Sequence, residues 1–191
     1  CLQEVGDFVR QELLLDEWVR HFYCMVDANG DHTLEDRNFG PFILLRSSLS
    51  VSLCDARLID FSKSITGRCA VALYLQDLTI LNVHLEGLNN ERVRLDQLKQ
   101  LLPSVEQEDN VILLGDFGAL PNEEPKHTKL LQDADLDDIW EEIHGDVESK
   151  PSDPGWTFDQ TAIEEMLPSK QRKKKNKTQA RFNRVFLKSE C

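Results

Sequence analysis

The chain has 191 residues, a formal net charge of −12, 40% hydrophobic and 29% charged residues, which are the proportions of a soluble globular protein of ordinary domain size. No apolar run approaches the roughly 20 residues of a membrane span, and the acidic balance argues against broad electrostatic adhesion to nucleic acid. The five cysteines are widely spaced, odd in number and without a CxxC pair, which argues against a zinc site or a disulfide framework.

The periodicity of Phe8, Leu15, Trp18, Val19 and Phe22 predicts an amphipathic helix over 7–22. A strand is expected at Tyr23–Val26, then a polar loop from Asp27 to Gly40. Within that loop Asp27-Ala28-Asn29-Gly30-Asp31 opens like a calcium-binding loop. His32 stands where its glycine belongs and Asn38 where its glutamate belongs, so it reads as a polar loop. Further strands are expected at Phe42–Leu45 and around Leu49, Val51 and Leu53, which alternate with Ser50 and Ser52.

Cys69–Leu75 and Leu78–Leu85 predict a hairpin turning at Gln76-Asp77. Glu91–Leu102 predicts a helix that Pro103 ends. The apolar run Val111–Leu114 predicts a strand buried on both faces, with Gly115 turning the backbone and Asp116 just past the strand end. Short helices are expected over 125–132 and 136–143, and the last strands at Trp156–Phe158 and Phe182–Leu187. Between these strands lies a Lys-rich insertion at about 164–180. Hairpins with interspersed helices, lacking regular βαβ alternation, indicate mixed sheets with helices outside.

One strand carries a local chemical signal. Leu78, Ile80, Asn82 and His84 share a face that begins apolar and turns polar at its C-terminal end, as a core strand does where it runs into a site. Asp116 follows another strand in a comparable position, where sites are built in layered α/β proteins.

Five pieces occur in order: Leu2-Gln3-Glu4-Val5, Asn82-Val83-His84-Leu85-Glu86, Gly115-Asp116-Phe117-Gly118, Gly155-Trp156-Thr157-Phe158-Asp159 and Arg181-Phe182-Asn183-Arg184. Together they resemble the endonuclease/exonuclease/phosphatase superfamily, the deoxyribonuclease I and exonuclease III type. The last two pieces look most like its tyrosyl-DNA phosphodiesterase branch. The resemblance implies one domain over 1–191 with an α/β four-layer sandwich fold, two packed mixed β-sheets flanked by helices. It also implies that the family's first strand and its terminal Ser-Asp-His element lie beyond this chain, which opens at Cys1 and closes at Cys191. The sequence is therefore expected to be a fragment, and the scattered cysteines with no charged-then-apolar opening point to an intracellular protein, cytoplasmic or nuclear and not secreted.

The implied activity is Mg²⁺-dependent hydrolysis of a phosphodiester or phosphomonoester, with Mn²⁺ able to replace Mg²⁺. Nucleic acid is among the implied substrates. By the same resemblance Glu4 is a metal ligand, His84 contacts the scissile phosphate and Asp116 orients the attacking water. Asn82, Asn183 and Arg184 are the expected phosphate contacts. Lys173, Lys174 and Lys175, in the basic run, are candidates for the substrate backbone, beside readings as a solvated insertion or a nuclear-import patch. Two positions depart from the pattern: Gly118 replaces an asparagine and Asn183 an aspartate. Turnover in this chain is accordingly expected to be weak or absent. The alternative is a degenerate member kept as a binding or scaffolding module. The oligomeric state is not legible.

Overall fold

The computed structural model describes residues 1–26, 39–87, 89–145, 155–166 and 178–189. The chain opens with β1 (Leu2–Gly6), followed by α1 (Asp7–Leu15) and α2 (Glu17–Phe22). The single helix expected over 7–22 is thus broken at Asp16. Its N–H donates to Glu12 O and ends α1, and its Oδ1 accepts from Val19 N to cap α2. Phe8, Leu15 and Trp18, expected on the packed face, are exposed.

The β2 strand (Tyr23–Val26) matches expectation, and β3 extends over Phe39–Arg46. Residues 27–38, including the calcium-loop-like stretch, lie outside the described residues. The strand expected around Leu49 to Leu53 is instead a 3-10 helix, Ser47–Ser52, where Ser50 Oγ donates to Ser47 O at 2.7 Å. Serine hydroxyls that bond the nearby backbone compete with a sheet ladder. An unanticipated strand follows, β4 (Leu53–Asp60), then β5 (Cys69–Leu75) and β6 (Leu78–His84) as the expected hairpin.

The helix α3 runs from Glu91 to Glu106 with Pro103 inside it, so the expected stop at 102 is overruled. Leu98, Leu101 and Val105 are fully buried on one stripe, and that burial outweighs the lost backbone bond. Next come β7 (Val111–Asp116), α4 (Glu124–Gln132), β8 (Asp137–Asp138), α5 (Ile139–His144), β9 (Phe158–Asp159), α6 (Gln160–Met166), β10 (Gln179–Ala180) and β11 (Asn183–Lys188).

The strands form a three-stranded sheet, order β1-β3-β2, a two-stranded sheet β10-β9, and a six-stranded mixed sheet, order β4-β5-β6-β7-β11-β8. Only β6 and β7 pair in parallel in the large sheet, and α3 makes the crossover between them. Ile43 and Leu45 of the small sheet pack on Val71, Leu73 and Ile80 of the large one. The opposite face of the large sheet carries the main core, where Leu81, Val83, Leu85, Leu113 and Phe186 meet Leu98, Leu101 and Leu131 of α3 and α4. With α1 and α2 against the small sheet, these are the four layers implied by the family resemblance.

The central strand is not buried on both faces. Val111 and Leu113 are fully buried, while Ile112 and Leu114 are half-buried. The small sheet packs mainly over β4 to β6, and a cavity of about 630 Å³ lies over β7 and β11. Gly115 does not turn the chain out of the strand. It sits within β7 at φ 139°, and a Cβ there would lie 2.0 Å from Val83 O, so glycine is required by the close approach of β6.

A buried histidine makes the α3–α4 packing acid-sensitive. His127 is fully buried, and neither ring nitrogen has a hydrogen-bond partner among the described residues. Burial, reinforced by the nearby Arg94 and Arg184 charges, lowers its pKa to about 4. Below pH 6.5 the unfolded chain binds a proton that the fold refuses, so stability falls as pH drops towards 4. The full loss is about 3 kcal/mol. Urea unfolding of the wild type and His127→Leu at pH 7 and pH 4 should show the variant gaining about that much on the wild type at the lower pH. Parallel losses in both proteins would refute this.

Candidate active site

Three strand ends converge at the C-terminal edge of the β6–β7 pair. His84 and Asp116 are register partners in adjacent parallel strands, and Asn183 of β11 is the antiparallel partner of Asp116. Strand pairing alone therefore sets His84, Asp116 and Asn183 in one row on one face of the sheet.

Glu4 reaches this row from the small sheet. The β1–β3 register slips between Leu2 and Val5, and Glu4 takes φ 53°, the left-handed region unusual for glutamate. Its carboxylate is largely exposed, with Oε1 3.6 Å from His84 Nε2. Asp116 Oδ2 lies 3.9 Å from the same nitrogen, while Oδ1 accepts from Gly118 N–H at 2.8 Å. The sequence-predicted Glu4, His84 and Asp116 are thus brought together.

The arrangement contains a cation that sequence reading missed. Arg68 Nη1 donates to His84 Nδ1 at 2.8 Å, and both terminal nitrogens lie 3.4 Å from Glu4 Oε1. The guanidinium also stacks over Phe39, 5.2 Å from the ring centre. Guanidinium can only donate, so Nδ1 must be the acceptor. The neutral ring then carries its proton on Nε2, facing the two carboxylates. Burial first, then the Arg68 charge, hold the His84 pKa below its usual value, against the opposing pull of Asp116 and Glu4. His84 is therefore a neutral N–H donor at neutral pH. A single Arg in a polar loop, 16 residues from its partner, gave no sequence signal.

Other expected contacts have different surroundings. Asn82 is fully buried; its Nδ2 donates to Leu2 O at 2.9 Å and Phe42 O at 3.0 Å, and its Oδ1 accepts from Gln3. The amide therefore stitches β6 to the small sheet beneath Glu4. Arg184 alternates to the opposite face of β11 from Asn183 and is buried against Asp138 and Thr128. In this structure the Asn82 amide and the Nε and Nη2 atoms of Arg184 make these internal contacts, while Arg184 Nη1 has no hydrogen-bond partner among the described residues. Asn183 is exposed at the cavity over β7 and β11, and its N–H donates to Thr157 Oγ1. Trp156 is half exposed on the same cavity, and Phe158 stacks on Phe182 with centroids 4.8 Å apart. Lys173, Lys174 and Lys175 lie outside the described residues.

Among the described residues, no group of three or more His, Cys, Asp or Glu side chains has metal-binding geometry. The donor chemistry still fits a hard cation. Glu4 and Asp116 offer carboxylate oxygens beside the same imidazole, and Mg²⁺ is commonly held by one or two carboxylates with waters completing its shell. No helix among the described residues is long and apolar enough to cross a membrane.

No protein-family model and no curated relative matches this sequence. Solved structures do resemble it. TDP2 from C. elegans matches 99% of this chain and 54% of its own at 18% identity and TM-score 0.70. D. rerio TDP2, complexed with single strand DNA product, matches 98% of this chain and 69% of its own at 20% identity and TM-score 0.67. The human Nocturnin catalytic domain with bound sulfate anion matches 98% and 67% at 19% identity and TM-score 0.54. The chain spans about half the length of the C. elegans protein. The deoxyribonuclease I-type sandwich expected from the sequence motifs is the fold observed, shared over nearly the whole chain with TDP2.

Proposed function

We propose that this chain carries the hydrolytic centre of a phosphoric ester hydrolase, with a phosphodiester of nucleic acid as substrate class. The observation that supports this best is the meeting of Glu4, His84 and Asp116 around one imidazole N–H, beside the Arg68 guanidinium. The single strand DNA product in the D. rerio TDP2 complex supports the substrate class.

Hydrolysis needs a positioned water, positive charge for the phosphoryl oxygens, and exclusion of competing geometries. In this reading Asp116 Oδ2 accepts a hydrogen bond from the attacking water and fixes its direction. His84 Nε2–H donates to a phosphoryl oxygen, and Arg68 holds that ring in the donating tautomer. The Asn183 amide, opposite Asp116, donates to the substrate. Glu4 and Asp116 would hold Mg²⁺, or Mn²⁺ in its place, which when bound supplies positive charge against the phosphoryl oxygens. Gly118 and Asn183 weaken the site, because a glycine offers no side-chain donor and an amide binds a cation less strongly than a carboxylate. Turnover is accordingly slow.

The test is hydrolysis of bis(p-nitrophenyl) phosphate and of an end-labelled oligonucleotide, with and without Mg²⁺. Mg²⁺-dependent turnover is expected, falling about hundred-fold or more in Asp116→Ala. Turnover indifferent to that substitution would remove Asp116 from the reaction. Oligonucleotide binding without any turnover would instead favour the binding-module reading.

A further inference from the structure

The loop that delivers Arg68 has almost no apolar anchorage. Phe61 and Cys69 are buried, but none of residues 62–68 is, and Ile65 points into solvent. Its ties through Lys63 to Asp96 and Ser62 to Gln100 lie on the exposed surface. Among the described residues, one carboxylate gathers three hydrogen bonds from the 64–66 turn on the loop's inner side. Glu86, 1% exposed, accepts from Ser64 Oγ at 2.8 Å and Ile65 N at 3.0 Å through Oε2, and from Thr66 Oγ1 at 2.6 Å through Oε1. Ser64 Oγ in turn accepts from the Arg68 backbone N–H at 2.6 Å.

Glu86 is itself fixed from behind. Its N–H donates to Gln97 Oε1 and its carbonyl accepts from Arg94, both at 2.8 Å and both from fully buried side chains of α3. Arg94 also pairs with Glu123, which accepts from Leu120 N in the loop beyond Asp116. An unbroken hydrogen-bonded path therefore runs from the core helix, through Glu86 and Ser64, to Arg68, and from Arg68 to His84 Nδ1.

We propose that Glu86 is a positioning residue for the candidate active site: by clamping the 64–66 turn it seats Arg68 against His84 and so selects the Nε2–H tautomer of that ring. The inference rests on the hydrolytic reading of Glu4, His84 and Asp116 only for its effect on rate. Its structural content stands without that reading. A carboxylate suits the task because it accepts from three donors at once, whereas an amide has a single acceptor oxygen.

The experiment is long-range ¹H–¹⁵N correlation of the His84 ring, with bis(p-nitrophenyl) phosphate turnover measured on the same samples. The wild-type ring should show one tautomer, protonated on Nε2. Glu86→Ala, and independently the pair Ser64→Ala with Thr66→Val, should give a mixture of tautomers and a turnover lowered about ten- to hundred-fold at little change in KM. Glu86→Gln should recover part of both. The double variant keeps the test open if Glu86→Ala does not fold, since it removes the two hydroxyl donors of the turn and leaves the buried carboxylate and its bond from Ile65 N–H in place. Arg68→Gln is the reference for a released ring. A single Nε2–H tautomer persisting in the folded variants, with only their melting temperature lowered, would overturn the proposal by making Glu86 a purely structural anchor. If the wild type hydrolyses nothing, the hydrolytic reading fails, and the tautomer populations still decide the role of Glu86.

Discussion

Asp138→Asn is expected to cost about 3–5 kcal/mol of folding stability. Asp138 is 2% exposed and serves two guanidinium groups that are themselves buried. Both of its oxygens lie 2.7 Å from Arg181 Nη2, and Oδ2 also accepts from Arg184 Nε at 2.9 Å and from Arg184 Nη2. Oδ1 additionally caps α5 through Trp140 N. Asparagine keeps the shape but removes the charge, and turns an NH₂ donor towards groups that only donate. Glu141 lies 3.1 Å from Arg181 Nη1 and offsets part of the loss for that residue, but at 3.8 Å it is a weaker partner for Arg184. Two buried cations would be left with Glu141 as their ion-pair partner and the weaker coulombic pull of Glu124. Urea unfolding measures the effect, and a loss below about 1 kcal/mol would mean that water or rearrangement satisfies both arginines. The consequence reaches the site, because Arg184 immediately follows Asn183 on β11.

Gly115→Ala should be at least as damaging, with an expected loss above about 4 kcal/mol or failure to fold. Two independent costs coincide. The φ of 139° lies where L side chains are strained, and the new Cβ would sit 2.0 Å from Val83 O and 2.9 Å from Val83 C and N. Those are backbone atoms of the adjacent strand, so no side chain can swing aside. Relief requires parting β6 from β7, which is also the pairing that aligns His84 with Asp116. Gly118→Ala is the useful contrast. Its φ is 55° and the nearest atom to a Cβ is Glu86 O at 3.1 Å, so the expected cost is about 1 kcal/mol. Thermal melts of the two variants side by side separate the cases; equal, mild losses would show that β6 and β7 yield more easily than this geometry implies.

Much of the candidate site was legible because local patterning fixes it. The alternation along Leu78–His84 determines that Asn82 and His84 share a face, and the short apolar run at Val111–Leu114 determines a central strand. The motif resemblance supplied what patterning cannot, that Glu4, distant in sequence, belongs with them. Signals that depend on side-chain identity alone misled where a competing interaction was stronger. Pro103 does not end α3, since buried Leu101 and Val105 hold the helix through it. Asp16 divides the helix expected over 7–22, since its carboxylate caps a new one.

Only the tertiary structure decided which polar groups remain available. The packing of the small sheet on β6 and of α4 and β8 beside β11 engages the Asn82 amide and the Nε and Nη2 atoms of Arg184 internally. Conversely, Arg68 and Glu86 become important through partners 16 and 20 or more residues away in sequence, joined by a loop with no periodic signature. The sequence by itself indicated β2, β3, β5, β6, β7 and the core helices α3 and α4 from local period and residue type, and the motif resemblance added Glu4, His84 and Asp116 as one group. The hydrogen-bonded path that orients them was decided by the fold, because donors and acceptors distant along the chain find one another only once the sheets and α3 have packed.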